Sequence, residues 1–160
     1  MHKYDDIVKH LHAALRELDR LGLGGSLAKG RIGEILLAHR LGHEIQLSGA
    51  GADGIGADGK KYEYKVSADN QFNFNFGHAG KDANDAEKMV RKHFEGYEGA
   101  YCALTRVDEI VSVAYCPVSV LVPLLAAHMS SVSGSTWQKV FSPIGKFAEI
   151  SGASWIQPRE

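Results

Sequence analysis

Hydrophobic residues recur at helical spacing early in the chain and at strand spacing through its middle. Ile7, Leu11, Ala14, Leu15, Leu18 and Leu21 follow the period of an α-helix, so Tyr4 to Leu21 reads as an amphipathic helix ended by Gly22, Gly24 and Gly25. A second helix is predicted from Lys29 to Leu41, with Ser26 as its possible cap, Gly42 as its stop, and Ile32, Ile35, Leu36 and the stem of Arg40 as its apolar face. Ile45 to Ser48 reads as a short strand. Asp58-Gly59 is a hairpin turn signal, and Lys61 to Ser67 alternates as a strand does. From Gln71 the run to Phe76 alternates strictly, with Phe72, Phe74 and Phe76 on one side and Gln71, Asn73 and Asn75 on the other. Lys81 to Phe94 is predicted helical. Ala100 to Arg106 and Glu109 to Cys116 read as an apolar pair of strands. Pro117 opens a helix to about His128, because Pro suits a first turn. Ser130 to Ser135 reads as a loop, Trp137 to Phe147 as a stretch containing a helical turn or two, and Ala153 to Ile156 as a last strand. This order predicts an α/β chain, a mixed β-sheet flanked by helices.

The chain's 160 residues fit a single domain over 1–160, with 1–25 as a candidate dimerisation helix. No apolar run is long enough to span a bilayer, and the acidic Met1 to Asp6 segment does not read as a secretory signal. A cytoplasmic protein is expected, with Cys102 and Cys116 reduced and buried in strand-like runs. The net charge of −1 neither advertises nor excludes a nucleic-acid partner, because metal-binding carboxylates would count against a basic excess.

The chemistry concentrates in Gly51 to Ser67. A three-residue turn, Ala57-Asp58-Gly59, would pair Gly56 with Lys60 and set Asp53 opposite Glu63. Glu63 and Lys65 share one strand face, with Tyr62, Tyr64 and Val66 on the other. Two carboxylates and an ammonium would then meet on one patch. Hard oxygen donors suit Mg²⁺, and a neighbouring Lys can orient an attacking water or help deprotonate it. The competing reading is a solvated strand face. Asp58 is assigned to its turn, where Asp bonds its own backbone.

The spacing Asp-x9-Glu-x-Lys resembles the PD-(D/E)xK nuclease superfamily, although Ala52 stands where that family often has Pro. The run from Asp53, with its Gly-x-x-Tyr-Glu-x-Lys-x-Ser tail, is similar to type II restriction endonucleases of the PvuII kind. The likeness is closest over residues 30–80 and extends to about 125. It implies an αβα restriction-endonuclease-like core and a metal-dependent DNA endonuclease with Asp53, Glu63 and Lys65 as catalytic residues. Asp53 and Glu63 would hold Mg²⁺, with Mn²⁺ able to substitute. Glu34, on the second helix, is either a third ligand, as an early-helix Glu is in many superfamily relatives, or a solvent-facing acid. Double-stranded DNA is the implied partner. Cutting both strands of a palindrome calls for a homodimer.

Gln71, Asn73 and Asn75 form a row of amides just beyond the metal-binding strand. Amides can pair with the N6 and N7 edge of adenine in the major groove, and the row is otherwise the polar side of a strand. His78 is a further candidate DNA contact. Other patterns carry less. His39 and His43 lack the remainder of a zinc motif, and Gly42 falls between them. Gly49 to Gly54 matches a dinucleotide fingerprint by letter, yet a hairpin follows where a helix is needed. The alternatives to a restriction enzyme are a junction resolvase or repair nuclease, and a non-catalytic DNA-binding module.

Overall fold

In the computed structural model, residues 4–22, 30–46, 51–78, 83–132 and 136–156 are described. Thirteen elements follow one another: α1 (Asp5–Arg20), α2 (Gly30–Leu41), β1 (Glu44–Ile45), β2 (Gly54–Ile55), β3 (Lys61–Ser67), β4 (Phe72–His78), α3 (Ala83–His93), β5 (Tyr97–Arg106), β6 (Glu109–Pro117), α4 (Val118–Ser131), β7 (Thr136–Phe141), α5 (Ile144–Ala148) and β8 (Ser154–Ile156). The caps assigned to Ser26, and the positions of Gly24, Gly25, Leu47, Ser48, Gly80, Ser133 and Ser135, lie outside the described residues.

Six strands form the main sheet in the order β1-β2-β3-β5-β6-β8. β3 and β5 run parallel, and every other neighbouring pair is antiparallel. The mixed α/β sheet expected from the pattern is therefore present. Its parallel step needs a crossover, and β4 with α3 supplies it. One face carries Tyr62, Tyr64, Tyr101 and Ala103, packed under Leu37 and Ala38 of α2. α1 lies outside α2, where Val8 and Leu15 bury against Leu36. The other face carries Ala100, Cys102, Ala114 and Cys116 beneath α3, α4 and α5. Both cysteines are free and buried, as their apolar surroundings led us to expect.

Two features go beyond the local pattern. The helical turn expected within Trp137 to Phe147 is present as Ile144–Ala148, and Thr136–Phe141 before it is a strand. A partner strand decides this. β7 pairs with β4 in a separate two-stranded ribbon, aligning Phe72 with Phe141, Asn73 with Val140 and Asn75 with Gln138. The apolar stripe of α1 is also divided. Leu15 is buried, whereas Ile7 and Leu21 are 51% and 55% exposed. No helix among the described residues is long and apolar enough to cross a membrane.

Candidate active site at the β2–β3 hairpin

The turn between β2 and β3 has the expected geometry. Gly59 takes φ +78°, a left-handed conformation open to Gly at little cost, and Gly59 N–H donates to Gly56 O at 2.9 Å. Gly56 N–H donates to Lys60 O at 2.9 Å, which sets Gly54 opposite Tyr62. Asp58 Oδ1 accepts the Lys60 N–H at 3.1 Å, the turn role assigned to it. Gly54 is required for a different reason. A Cβ there would sit 2.0 Å from the Tyr64 hydroxyl, so the tyrosine lies directly over the β2 backbone.

At Asp53 the regular ladder ends. Its N–H donates to Tyr62 O at 3.0 Å, and its carboxylate Oδ2, rather than its carbonyl, accepts the Tyr64 N–H at 2.8 Å. The one-to-one placement of Asp53 across from Glu63 is thus modified. The side chain replaces the main chain as acceptor, and this ties the carboxylate to the strand that carries Glu63. The Asp53 carbonyl in turn accepts from Gln46 N–H at 3.3 Å, next to β1.

Glu63 and Lys65 share a face as predicted. Lys65 Nζ donates to Glu63 Oε1 at 2.5 Å. The ammonium also stands 5.4 Å from the centre of the Phe74 ring. Glu63 is only 5% exposed, and its second oxygen, Oε2, lies 3.3 Å from His93 Nε2 at the end of α3. Tyr97, at the start of β5, stacks on His93 with ring centres 6.0 Å apart. His93 and Tyr97 were not singled out from sequence. Neither belongs to a recognisable spacing, and only the crossover through α3 brings them to β3.

The electrostatics follow from this packing. Burial pushes the Asp53 carboxyl up, and the negative charge of Glu63 adds to the push, reaching about 6 despite the Tyr64 N–H bond. Burial also acts to raise Glu63. The hydrogen bond from His93 and the charge and hydrogen bond of Lys65 outweigh it, so Glu63 ends below the usual carboxylate range. Burial raises the Tyr97 hydroxyl to about 12, with Glu63 and Asp53 contributing. At Glu63 the hydrogen-bond partners and Lys65 outweigh burial, whereas at Asp53 burial and the charge of Glu63 outweigh the Tyr64 N–H and Lys65.

Glu34 takes part at longer range. It is bonded to Arg31 at 2.9 Å, and its negative charge still adds to the push on Asp53. Among the described residues, no three His, Cys, Asp or Glu side chains converge closely enough to hold a metal ion. The Glu34 side chain is only 20% exposed, and its carboxylate accepts from Arg31. The two remaining carboxylates still fit Mg²⁺, an ion commonly held by one or two carboxylates with water and substrate phosphate completing its shell. The raised Asp53 is the feature that a bound cation would relieve.

The amide row is solvent-facing. Gln71, Asn73 and Asn75 are exposed, while Phe72, Phe74 and Phe76 are buried in the core beneath them. Asn73 Nδ2 donates to Gln138 Oε1 at 3.3 Å, so β7 adds an amide to the row. Asn75 Oδ1 accepts the Gly77 N–H at 2.9 Å. The backbone of His78 pairs with Thr136, and its side chain lies outside the described residues. His39 and His43 go separate ways, the first to Asp5 at 3.1 Å and the second to the Tyr64 hydroxyl at 2.7 Å. Gly54, from the fingerprint-like run, opens a strand and not a helix. Comparison of the chain with models of known protein families, and with curated proteins, finds no match.

Proposed function

We propose that this protein is a divalent-metal-dependent DNA endonuclease of the PD-(D/E)xK kind, acting as a type II restriction enzyme on duplex DNA. The observation that carries the reading is the joint placement of Asp53, Glu63 and Lys65 around one hairpin, with Glu63 buried and bonded to Lys65. Asp53 and Glu63 would hold Mg²⁺ or Mn²⁺, which supplies Lewis-acid polarisation of a phosphate and charge neutralisation in the transition state.

The chain's own residues supply the rest. The Tyr64 N–H fixes the Asp53 carboxylate, and His93 with Lys65 fixes both oxygens of Glu63. Lys65 Nζ is held on the Phe74 ring with its side chain about a quarter exposed, at 27%, so it can reach a water attacking phosphorus while remaining fixed by Glu63. The β4–β7 ribbon presents Asn73, Asn75 and Gln138 on one exposed face. A two-stranded ribbon fits the major groove, where amides read adenine. Cleavage of both strands of a palindrome would require two copies of the chain related by two-fold symmetry.

The test is direct. Long mixed-sequence linear DNA is incubated with the protein and Mg²⁺, and the fragment ends are sequenced. Discrete fragments sharing one short site are expected. Cleavage confined to branched DNA would instead mark a junction resolvase. Absence of cleavage with both Mg²⁺ and Mn²⁺ would sink the enzymatic reading.

A further inference from the structure

The cations around the hairpin site are unequally answered. Lys65 is bonded to Glu63, Lys60 to Glu98 at 2.8 Å, and Arg91 to Glu87 at 2.8 Å. Lys61, Lys88 and Lys92 are exposed, and none of the three has an ion-pair partner among the described residues. A lone surface lysine is ordinary. These three are gathered about one buried acid.

Strand alternation puts Lys61 on the face of β3 that carries Glu63 and Lys65. The parallel register sets Lys61 beside Tyr97 of β5, one strand spacing or ~4.8 Å away. Tyr97 stacks on His93, whose Nε2 lies 3.3 Å from Glu63 Oε2. Lys92 directly precedes that histidine in α3. Lys88 stands one turn back on the same side of the helix, with ~5–6 Å between the two Cβ atoms. Lys61 therefore flanks the Glu63–His93 contact from the strand, and Lys92 and Lys88 flank it from the helix. A recess of about 360 Å³ lies on that side of α3, lined by Asp85, Lys88, Met89 and Lys92. Asp85 and Glu95 oppose the positive charge, yet among the described residues neither is within ion-pair distance of Lys88 or Lys92. Glu87 and Glu98 are already neutralised by Arg91 and Lys60.

The open setting decides which anion fits. One exposed ammonium in water holds a small anion weakly, because solvent and salt screen the charge. A polyanion differs. Each neutralised phosphate releases a condensed counterion, and the gain accumulates with every contact along the backbone. Cations spaced on both sides of a buried carboxylate thus suit a charged strand that crosses the site, and a free phosphate gains nothing from the spacing.

We infer that Lys61, Lys88 and Lys92 grip the phosphates of duplex DNA on either side of the bond aligned with Glu63. They touch no reacting atom and act as positioning residues, with α3 as the second rail of a backbone clamp. The inference rests on the proposed function for the identity of its partner.

The experiment follows binding of a random-sequence duplex by fluorescence anisotropy in chelator, where no cleavage intervenes. The wild type should bind, with log affinity falling linearly as log salt rises. Each Lys→Gln change at 61, 88 or 92 should lower that slope by ~0.9, and the triple change by ~2.7, so between about 50 and about 200 mM salt the wild type should lose ~40-fold more affinity than the triple variant. Lys→Arg at the same three positions should keep the slope. Lys9→Gln removes an exposed charge from α1, across the sheet, and should also leave it unchanged. Inorganic phosphate at constant ionic strength should not compete, and circular dichroism checks that each variant is folded. A wild type that does not bind, a triple variant with the wild-type slope, an equal loss in Lys9→Gln, or competition by phosphate would each overturn the proposal. Cleavage with Mg²⁺ by a protein whose slope ignores these lysines would remove the clamp alone. A slope that follows them, without cleavage under Mg²⁺ or Mn²⁺, would support the clamp and remove the enzyme.

Discussion

Asp53→Asn should make the metal-free protein more stable while removing its response to Mg²⁺. The asparagine oxygen can still accept the Tyr64 N–H, so the strand connection at 2.8 Å is kept and only the charge is lost. Burial and the neighbouring Glu63 raise the Asp53 carboxyl from 3.8 to about 6. A tenfold change in proton affinity is worth ~1.4 kcal/mol, so the ionised folded form carries an unscreened penalty of ~3 kcal/mol. Solvent reaches this half-buried group and reduces the figure to ~1–2 kcal/mol. The sign follows from linkage. The folded state binds this proton more tightly than the unfolded chain, so the penalty is full above about 6 and fades as pH falls toward 3.8. For a chain of this size the gain at pH above neutrality corresponds to ~3–6 °C in melting temperature. Thermal unfolding of wild type and variant across pH, in chelator, measures it. The gap should close on acidification, and added Mg²⁺ should raise the wild type alone. A variant no more stable than wild type at high pH, or a gap independent of pH, would refute a carboxylate held at a cost beside Glu63.

Lys65→Ala should slow single-turnover cleavage by ~10²-fold or more, the scale of assisted proton transfer, with DNA affinity changing far less. An unchanged rate would reduce Lys65 to a structural partner of Glu63. Asn73→Ala and Gln138→Ala should each cost ~1–3 kcal/mol of discrimination between cognate and random duplex in competition binding, because the two amides sit together on the ribbon face. Equal losses on both DNAs would make the row merely polar. Gly54→Ala should displace Tyr64, whose hydroxyl would meet the new Cβ at 2.0 Å, and so break its bond to His43; loss of cleavage together with a lowered melting temperature is expected. Leu15→Ala should cost ~2–4 kcal/mol in denaturant unfolding, since the side chain is 3% exposed. Ile7→Glu with Leu21→Glu should preserve the fold and convert a dimer to a monomer in sedimentation if the exposed part of α1 is the dimer contact.

Local periodicity was enough to place most elements, and the reason is that each buries one face. The Phe72, Phe74 and Phe76 alternation predicted both the strand and its inward side, and those rings are buried while the amides are exposed. The hairpin turn and its register as far as Gly54 were legible, because Asp-Gly allows few turns and a strand places Glu63 and Lys65 on one face whatever surrounds them. The strand Thr136–Phe141 is not legible locally because it exists only through pairing with β4, some 60 residues earlier, a partner that no local window contains. The exposure of Ile7 beside buried Val8 likewise depends on which side of α1 faces α2, which the stripe by itself does not fix. The same holds for the chemistry. Residue type and spacing named Asp53, Glu63 and Lys65. Which carboxylate is compensated, and which is pushed up, was decided by His93 arriving beside Glu63 through the crossover and by the burial of Asp53, because a charge is tuned by neighbours in space and the chain's sequence separation carries no record of that distance.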